Sequence, residues 1–392
     1  LYIKLSLEPF PGFKIQVNGK RYEAQSVSML YGRVDEMSDY TLQQNATGSF
    51  NITQIAIGTA FDKIGDASTM FASKNFDRFL ENRELMTQRL NTRYQGVRYP
   101  SGSTFIPDSL VGKTYKGSGI NSGSADVLIP AFLATYTGRN INTISFNPFL
   151  SVLHTMPNWS VSFDGLGRLP WMRDHFRSVT LTHAYVCKYA IGSYSSFSTW
   201  VSAGENDRTL GFTRDVTTQM PIPSASYDVS SVSLQESFSP LIGVNMTMKN
   251  SLSLKAEYRK QRNMTLNITS VQLTEGHTNE FVIGAGYTIK DLHFTAKNRD
   301  GKQRKVSNDL KLNVDVSYKN IMTLLRKVDE NLTQASSGNR VLGIKISADY
   351  VVSQRVSLQF FYDHEGNTPL ISNSYPINTD NAGISIKLML TR

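Results

Sequence analysis

Leu252-Ser253-Leu254-Lys255-Ala256-Glu257-Tyr258 places an apolar side chain at every second position, with Ser253, Lys255 and Glu257 between them. The same pattern returns in Phe281-Val282-Ile283-Gly284-Ala285-Gly286-Tyr287-Thr288-Ile289 and in Leu310-Lys311-Leu312-Asn313-Val314-Asp315-Val316-Ser317-Tyr318-Lys319. It returns again in Ile344-Lys345-Ile346-Ser347-Ala348-Asp349-Tyr350 and Val356-Ser357-Leu358-Gln359-Phe360. Met264, Leu266 and Ile268 carry it earlier, and Ile384, Ile386, Leu388 and Leu390 carry it last. Successive side chains of a strand point to opposite faces, so repeated period-2 alternation predicts antiparallel strands with one apolar and one polar face. Each run covers about 9–11 residues, the length a tilted strand needs to cross a bilayer.

Working outward, the connections predict a layout. Lys290-Asp291, Lys319-Asn320 and Ser353-Gln354 read as tight turns, and 298–308, 329–339 and 363–380 as longer polar loops. Short turns on one rim and long loops on the other are the arrangement of an outer-membrane barrel. By the same parity the tight Lys249-Asn250 connection falls on the long-loop rim, which does not fit. Tyr258, Tyr287, Tyr318 and Tyr350 share the apolar face, each a few residues before an expected turn. They are expected to form one aromatic girdle, because such rings favour the boundary between acyl chains and headgroups. Lys255, Glu257, Arg259, Lys311, Asp315, Lys319, Lys345, Asp349, Arg355, Asp363 and Lys387 point the other way and are expected to line a hydrated lumen. Unpaired charges are too costly for a dry interior.

The first part of the chain is more mixed. Residues 1–7, 13–17 and 49–59 read as strands, with Asn18-Gly19 as a hairpin turn. Residues 73–93 read as the one clear helix, with Ser73 as N-cap and Phe76, Phe79, Leu80, Met86 and Leu90 on one stripe. Residues 95–125 are rich in Gly, Ser and Pro and predict a long loop. Strand text resumes in Trp159-Ser160-Val161-Ser162-Phe163 and over 178–194. The expected organisation is barrel strands over 1–72, a lid- or plug-like helix and long loop over 73–150, and barrel strands over 151–392. The fold class is therefore all-β, a transmembrane antiparallel β-barrel segment with one helix and long inserted loops.

Composition narrows the function classes. The chain has 392 residues and 40% hydrophobic content, and no run reaches the roughly 18 apolar residues of a transmembrane helix. Twenty Phe, 18 Tyr and 3 Trp are too many for a disordered chain. One Cys excludes a disulfide framework and a Cys-based zinc site. The net charge of +9 is spread over short runs, so it describes faces and turns and not a nucleic-acid tail. The first residues begin mid-pattern without an initiator Met or a signal peptide, as expected of a piece of a longer chain.

Few motifs point to chemistry. Gly112-Lys113-Thr114 resembles the end of a P-loop, but Pro107 stands where that motif needs glycine. Asp164, Asp174, His175 and His183 lie close enough in sequence to allow a hydrolytic constellation, but Ser is so common that adjacency carries little. None of the six histidines pairs with another at a helical i,i+4 spacing to hold a metal. Neither cofactor nor metal is expected, and the chain is not read as an enzyme. Seven Asn-X-Ser/Thr matches fall largely within strands and read as polar strand faces.

Longer stretches carry a family likeness. Met156-Pro157-Asn158-Trp159-Ser160-Val161, Leu169-Pro170-Trp171, Ser178-Val179-Thr180-Leu181-Thr182-His183 and Ile191-Gly192-Ser193-Tyr194 belong to it. So do Glu236-Ser237-Phe238-Ser239-Pro240-Leu241-Ile242-Gly243 and Gln272-Leu273-Thr274-Glu275, followed by Glu280-Phe281-Val282-Ile283-Gly284-Ala285-Gly286-Tyr287. Over most of its length the chain resembles the C-terminal part of the SprA/Sov family, outer-membrane translocons of the Bacteroidota type 9 secretion system, linked to gliding motility. The resemblance implies a very large single-chain barrel whose pore exports folded cargo proteins bearing a C-terminal sorting domain. It implies a periplasmic plug protein and a smaller outer-membrane barrel as partners, the lipid bilayer as surroundings, and no catalytic residue. Many outer-membrane barrels end in an aromatic residue, whereas this chain ends Leu390-Thr391-Arg392. The competing expectations are a receptor-type barrel for small ligands and a surface-exposed β-rich enzyme.

Overall fold

A computed structural model describes residues 1–32, 41–117, 120–204, 207–297, 303–353, 356–371 and 374–388. Strands come first: β1 (Tyr2–Phe10), β2 (Phe13–Gly32) and β3 (Thr41–Thr53). A helical insertion follows, with α1 (Ile57–Ala60), α2 (Lys74–Tyr94) and α3 (Ala125–Thr137). Then come β4 (Asn158–Phe163), α4 (Pro170–His175) and β5 (Phe176–Ser196). Four short strands, β6 (Val201–Ser202), β7 (Gly211–Arg214), β8 (Pro221–Pro223) and β9 (Tyr227–Val229), lead into the long ones. These are β10 (Ser231–Met248), β11 (Leu252–Asn267), β12 (Gln272–Lys297), β13 (Gln303–Lys327), β14 (Leu332–Ser353), β15 (Val356–Pro369) and β16 (Ile377–Leu388).

Among the described residues, thirteen strands form one sheet in the order β1-β2-β3-β5-β10-β11-β12-β13-β14-β15-β16, with β4 and β9 attached at its side. All its pairs are antiparallel. β1 and β16 stand at the two ends of that order, so among the described residues the sheet is open.

Several expected turns lie inside strands. Asn18-Gly19 pairs with Lys4 and Ile3 within β2. The chain reverses instead at Pro11-Gly12, where Gly12 has φ +87°, a conformation that glycine adopts without a Cβ penalty. Lys290-Asp291 is a bulge within β12, between Ile289 and Leu292 of the pairing with β13. A bulge interrupts alternation much as a strand end does, so the sequence there looks like a turn. Lys319-Asn320 lies in mid-β13, opposite Glu280 and Asn279. Of the expected tight turns, Lys249-Asn250 joins Met248 to Leu252, and Ser353-Gln354 fits in that Ser353 pairs with Val356; Gln354 itself lies outside the described residues.

The expected long loops are also mostly strand. β14 begins at Leu332, so 329–339 holds the last three residues of the four-residue connection 328–331 and then strand. β15 runs on to Pro369, β16 starts at Ile377, and β13 already starts at Gln303. The strand ends Met248 and Leu252, Lys297 and Gln303, and Ser353 and Val356 therefore share one rim, and Asn267 and Gln272, Lys327 and Leu332, and Pro369 and Ile377 share the other. This resolves the misfit at Lys249-Asn250. Both rims carry short connections, so their layout no longer argues for a membrane barrel.

The insertion is more helical than expected. α2 matches its prediction, with the Ser73 side chain accepting from the Phe76 N–H at 3.4 Å. Residues 57–59, expected as the end of a strand, begin α1, and a 3₁₀ turn follows within the segment up to 72 that was assigned to the barrel strands. α3 was not foreseen: residues 127–136 are consecutively buried, so no 3.6 period shows in the sequence, and Pro130 sits inside it. A helix apolar all round belongs in a core. Phe79, Met86 and Leu90 of α2 and Phe132 and Tyr136 of α3 pack with Tyr185, Tyr189, Phe238, Met264, Leu266 and Leu273 of the sheet.

Candidate transport surface

The two faces of β10–β16 differ in what they carry and what covers them. Register puts Lys255, Gly284, Asp315, Lys345, Asp363 and Asn381 in one row across β11–β16. Lys311 opposes Asp349, Arg259 and Lys319 flank Glu280, and Lys387 opposes Ser357. Counting by twos along each strand puts Glu257 with them, so ten of the eleven charged residues read from the sequence share one face. Arg355 lies outside the described residues.

Their charges are interleaved. Glu257 accepts from Lys255 at 3.2 Å and from Arg259, and Glu280 accepts from Arg259 at 3.3 Å and from Lys319 at 3.2 Å. Glu280 is thus the centre of the network, although it was not among the residues expected there. The alternating run legible in the sequence starts one residue later, at Phe281, and Glu280 lies two residues before Val282 on the same face. Asp315 and Lys345, and Lys345 and Asp363, stand directly opposed in adjacent strands, a favourable cross-strand arrangement. Gly284 lies between Lys255 and Asp315, where a Cβ would collide with the Asp315 carboxylate. Only glycine leaves room for that side chain to lie across the strand.

The other face is an apolar band. Val282 on the charged face is 8% exposed, covered by its long polar neighbours, whereas Ile283 on the apolar face is 65% exposed. Phe281, Val314, Val316, Leu342, Ile346, Phe360, Ile384 and Ile386 are likewise exposed. Across β10, β4 and β2 the band continues as an open apolar groove of about 430 Å³ that includes Phe13, Phe163, Leu181 and Ile242.

The four tyrosines do share this face, but not one level. Tyr258 and Tyr318 flank Phe281 in register, with the Tyr258 and Phe281 rings stacked at 4.5 Å. Tyr287 pairs with Leu252 and Leu312, and Tyr350 with Leu310 and Leu358. The expected single girdle is therefore two aromatic levels, separated by six to eight residues, or roughly 20–27 Å along the strands. Tyr258 and Tyr318 lie on strands that run opposite to those of Tyr287 and Tyr350, and with Lys319-Asn320 in mid-strand they do not approach the rim that Tyr350 approaches at Ser353.

Below the Tyr258–Tyr318 level the same face turns polar. Lys260, Asn279, Asn320 and Arg340 form one row. Beneath it the helical insertion covers the sheet and two ion pairs are buried. Arg262, 4% exposed, holds Glu236 at 2.7 Å and donates to the Thr59 carbonyl at 2.8 Å. The Tyr185 hydroxyl donates to Glu236 at 2.7 Å and accepts from the Ala56 N–H. Arg326, fully buried, holds Glu275 at 2.9 Å and donates to the Phe71 carbonyl. The Tyr136 hydroxyl of α3 donates to Glu275 at 2.8 Å. Burial first, and then the Glu275 charge, raise this phenol well above its usual range, so it stays a donor. These residues fasten the insertion to the sheet.

The residues weighed for other chemistry do not converge. His183 bonds the Leu241 carbonyl through Nδ1 at 2.7 Å, and Asp164 pairs loosely with Arg168 at 3.9 Å. Lys113 lies in a turn bonded to Tyr99, not at a helix start. Among the described residues no three or more His, Cys, Asp or Glu side chains are grouped to hold a metal. Nor is any helix among them long and apolar enough to cross a membrane, which says nothing of crossing by strands. Compared with protein-family models and with curated proteins, the chain matches none.

Proposed function

We propose that this chain supplies part of the wall of a protein-conducting outer-membrane channel, as its resemblance to the SprA/Sov family implies. The observation that carries this reading is the division of β11–β16 into an exposed apolar band between two aromatic levels and an opposite face bearing charges of both signs. An apolar surface spread over six strands is too large to leave in water on an ordinary monomer, whereas acyl chains solvate it without cost. Its extent of roughly 20–27 Å is comparable to the apolar band of outer-membrane barrels, about 25 Å tall between aromatic girdles. The charged face then meets water. Alternating signs give it no single-sign constriction of the kind a selective pore uses, which suits a wall past which folded cargo moves without sticking. Additional strands would close the barrel, and cargo with a C-terminal sorting domain, a periplasmic plug and a smaller barrel would be its partners.

Cysteine scanning in the full parent chain tests this. Single cysteines at Lys311, Asp315, Lys345 and Asp349 should react with a membrane-impermeant thiol reagent and be protected when cargo is stalled in the pore. Cysteines at Leu312 and Ile346 should stay unlabelled in the bilayer. Equal labelling of the two sets, or recovery of the protein in the aqueous phase without detergent, would sink the reading.

A further inference from the structure

A cavity of about 300 Å³ opens between the insertion and the sheet, immediately below the Tyr258–Phe281–Tyr318 level. Its polar lining includes Asp62, Lys63, Lys260, Arg262, His277 and Asn279. Arg262 is engaged by Glu236, and Glu275, which also lines the cavity, by Arg326. These charges cancel within the protein. Lys260 differs: it is half-buried, its Nζ lies 5.4 Å from the centre of the Phe61 ring, and no carboxylate lies within ion-pair distance among the described residues. His277 Nε2 is buried without a hydrogen-bond partner, 3.6 Å from Glu275 Oε2. Lys63 and Asp62, both exposed, also line the cavity. With the two internal pairs removed, the remaining formal charge is one acid against two lysines.

The depth of the cavity says what such a site would bind. Lys260 is two residues from Tyr258 on the same face of β11, roughly 7 Å along the strand, and the Tyr258 hydroxyl donates to Asn279 Oδ1 at 3.2 Å. Aromatic rings mark the boundary between acyl chains and headgroups, so a cationic recess just beyond them lies at the depth of lipid phosphates. Long basic side chains reach that layer from the edge of an apolar surface.

We propose that this cavity is a headgroup site for an anionic phospholipid. Lys260 and Lys63 hold the phosphate, His277 Nε2 supplies a further polar atom at the back, and the acyl chains lie along Tyr258, Phe281 and Ile283. The proposal rests on the band being lipid-facing.

Native mass spectrometry of the full parent chain, released from a neutral detergent after titration with phosphatidylglycerol or phosphatidylcholine, tests it. Phosphatidylglycerol should bind about tenfold more tightly, and Lys260→Gln should reduce that preference about fivefold. Lys63→Gln, on an exposed loop, should reduce it two- to threefold and keeps the test open if Lys260→Gln fails to fold. Lys116→Gln, exposed on the insertion away from the cavity, should leave it unchanged. Equal binding of the two lipids to folded protein overturns the site. Displacement of phosphatidylglycerol by excess inorganic phosphate overturns the lipid as its source. A protein that inserts in bilayers yet shows no headgroup preference loses this site alone, whereas one that never partitions into bilayers loses the membrane reading beneath it.

Discussion

Arg262 and Arg326 look, in the sequence, like ordinary polar positions in alternating strands. In the fold each is buried against one glutamate and fastens the insertion to the sheet. Removing one member of such a pair leaves an unpaired buried charge, which costs about 3–5 kcal/mol. Arg262→Met should therefore lower the thermal midpoint of the protein sharply, and the double variant Arg262→Met/Glu236→Gln should recover much of the loss. A double variant as unstable as the single one would show that the contacts of Arg262 with Thr59 and Ala56, not the ion pair, carry the effect. Asp126, in the first turn of α3, offers a second test. Burial pushes its carboxyl up to about 6, against the Ala225 N–H and the Arg93 charge, which favour the anion. The folded state then binds this proton more tightly than the unfolded chain does. Its contribution to stability is full below about pH 4 and is lost as pH rises through 6. Asp126→Asn should flatten the dependence of the melting temperature on pH between 4 and 7; an unchanged slope would assign that dependence to other groups.

Among the elements, the long strands have two regimes on one face. Even-numbered β11 residues run from Leu254, Ala256 and Tyr258 in the open band to Arg262, Met264 and Leu266 under the helices. Alternation is the same in both, so periodicity could not tell a face bared along one half from a face packed along the other. The bare half predicts a depth-dependent penalty. Ile283→Arg, Val314→Arg or Ile346→Arg should each cost about 2–4 kcal/mol near the bilayer midplane, with Ser347→Arg and Asn313→Arg on the charged face much milder. Refolding titrations into lipid vesicles would read this, and equal costs on the two faces would remove the band assignment. α3 carries the converse lesson: a helix buried on every side loses the 3.6-residue signature by which helices are found.

For the whole molecule, strand order and coverage matter most. β1 and β16 lie at opposite ends of the sheet order, and both carry exposed apolar side chains, Leu5 and Leu7 in one and Ile384 and Ile386 in the other. Open edges with apolar flanks invite further strands, which is where the proposed larger barrel would continue. The insertion packs on the same face as the band and ends below it, so one sheet combines a water-type core with a surface suited to acyl chains.

The strands, their faces, the shared face of the charged residues and the helix at 74–94 could be read directly, because each is a local periodicity imposed by backbone geometry. Hairpin positions could not, since a bulge at Asp291 and a polar row at Asn320 interrupt alternation as a turn would. The split of the tyrosines into two levels, the centre of the charge network at Glu280, the burial of α3 and the cavity beside Lys260 all depend on register and on what packs over each residue. Those are contacts between residues far apart in the chain, and only tertiary structure decides them.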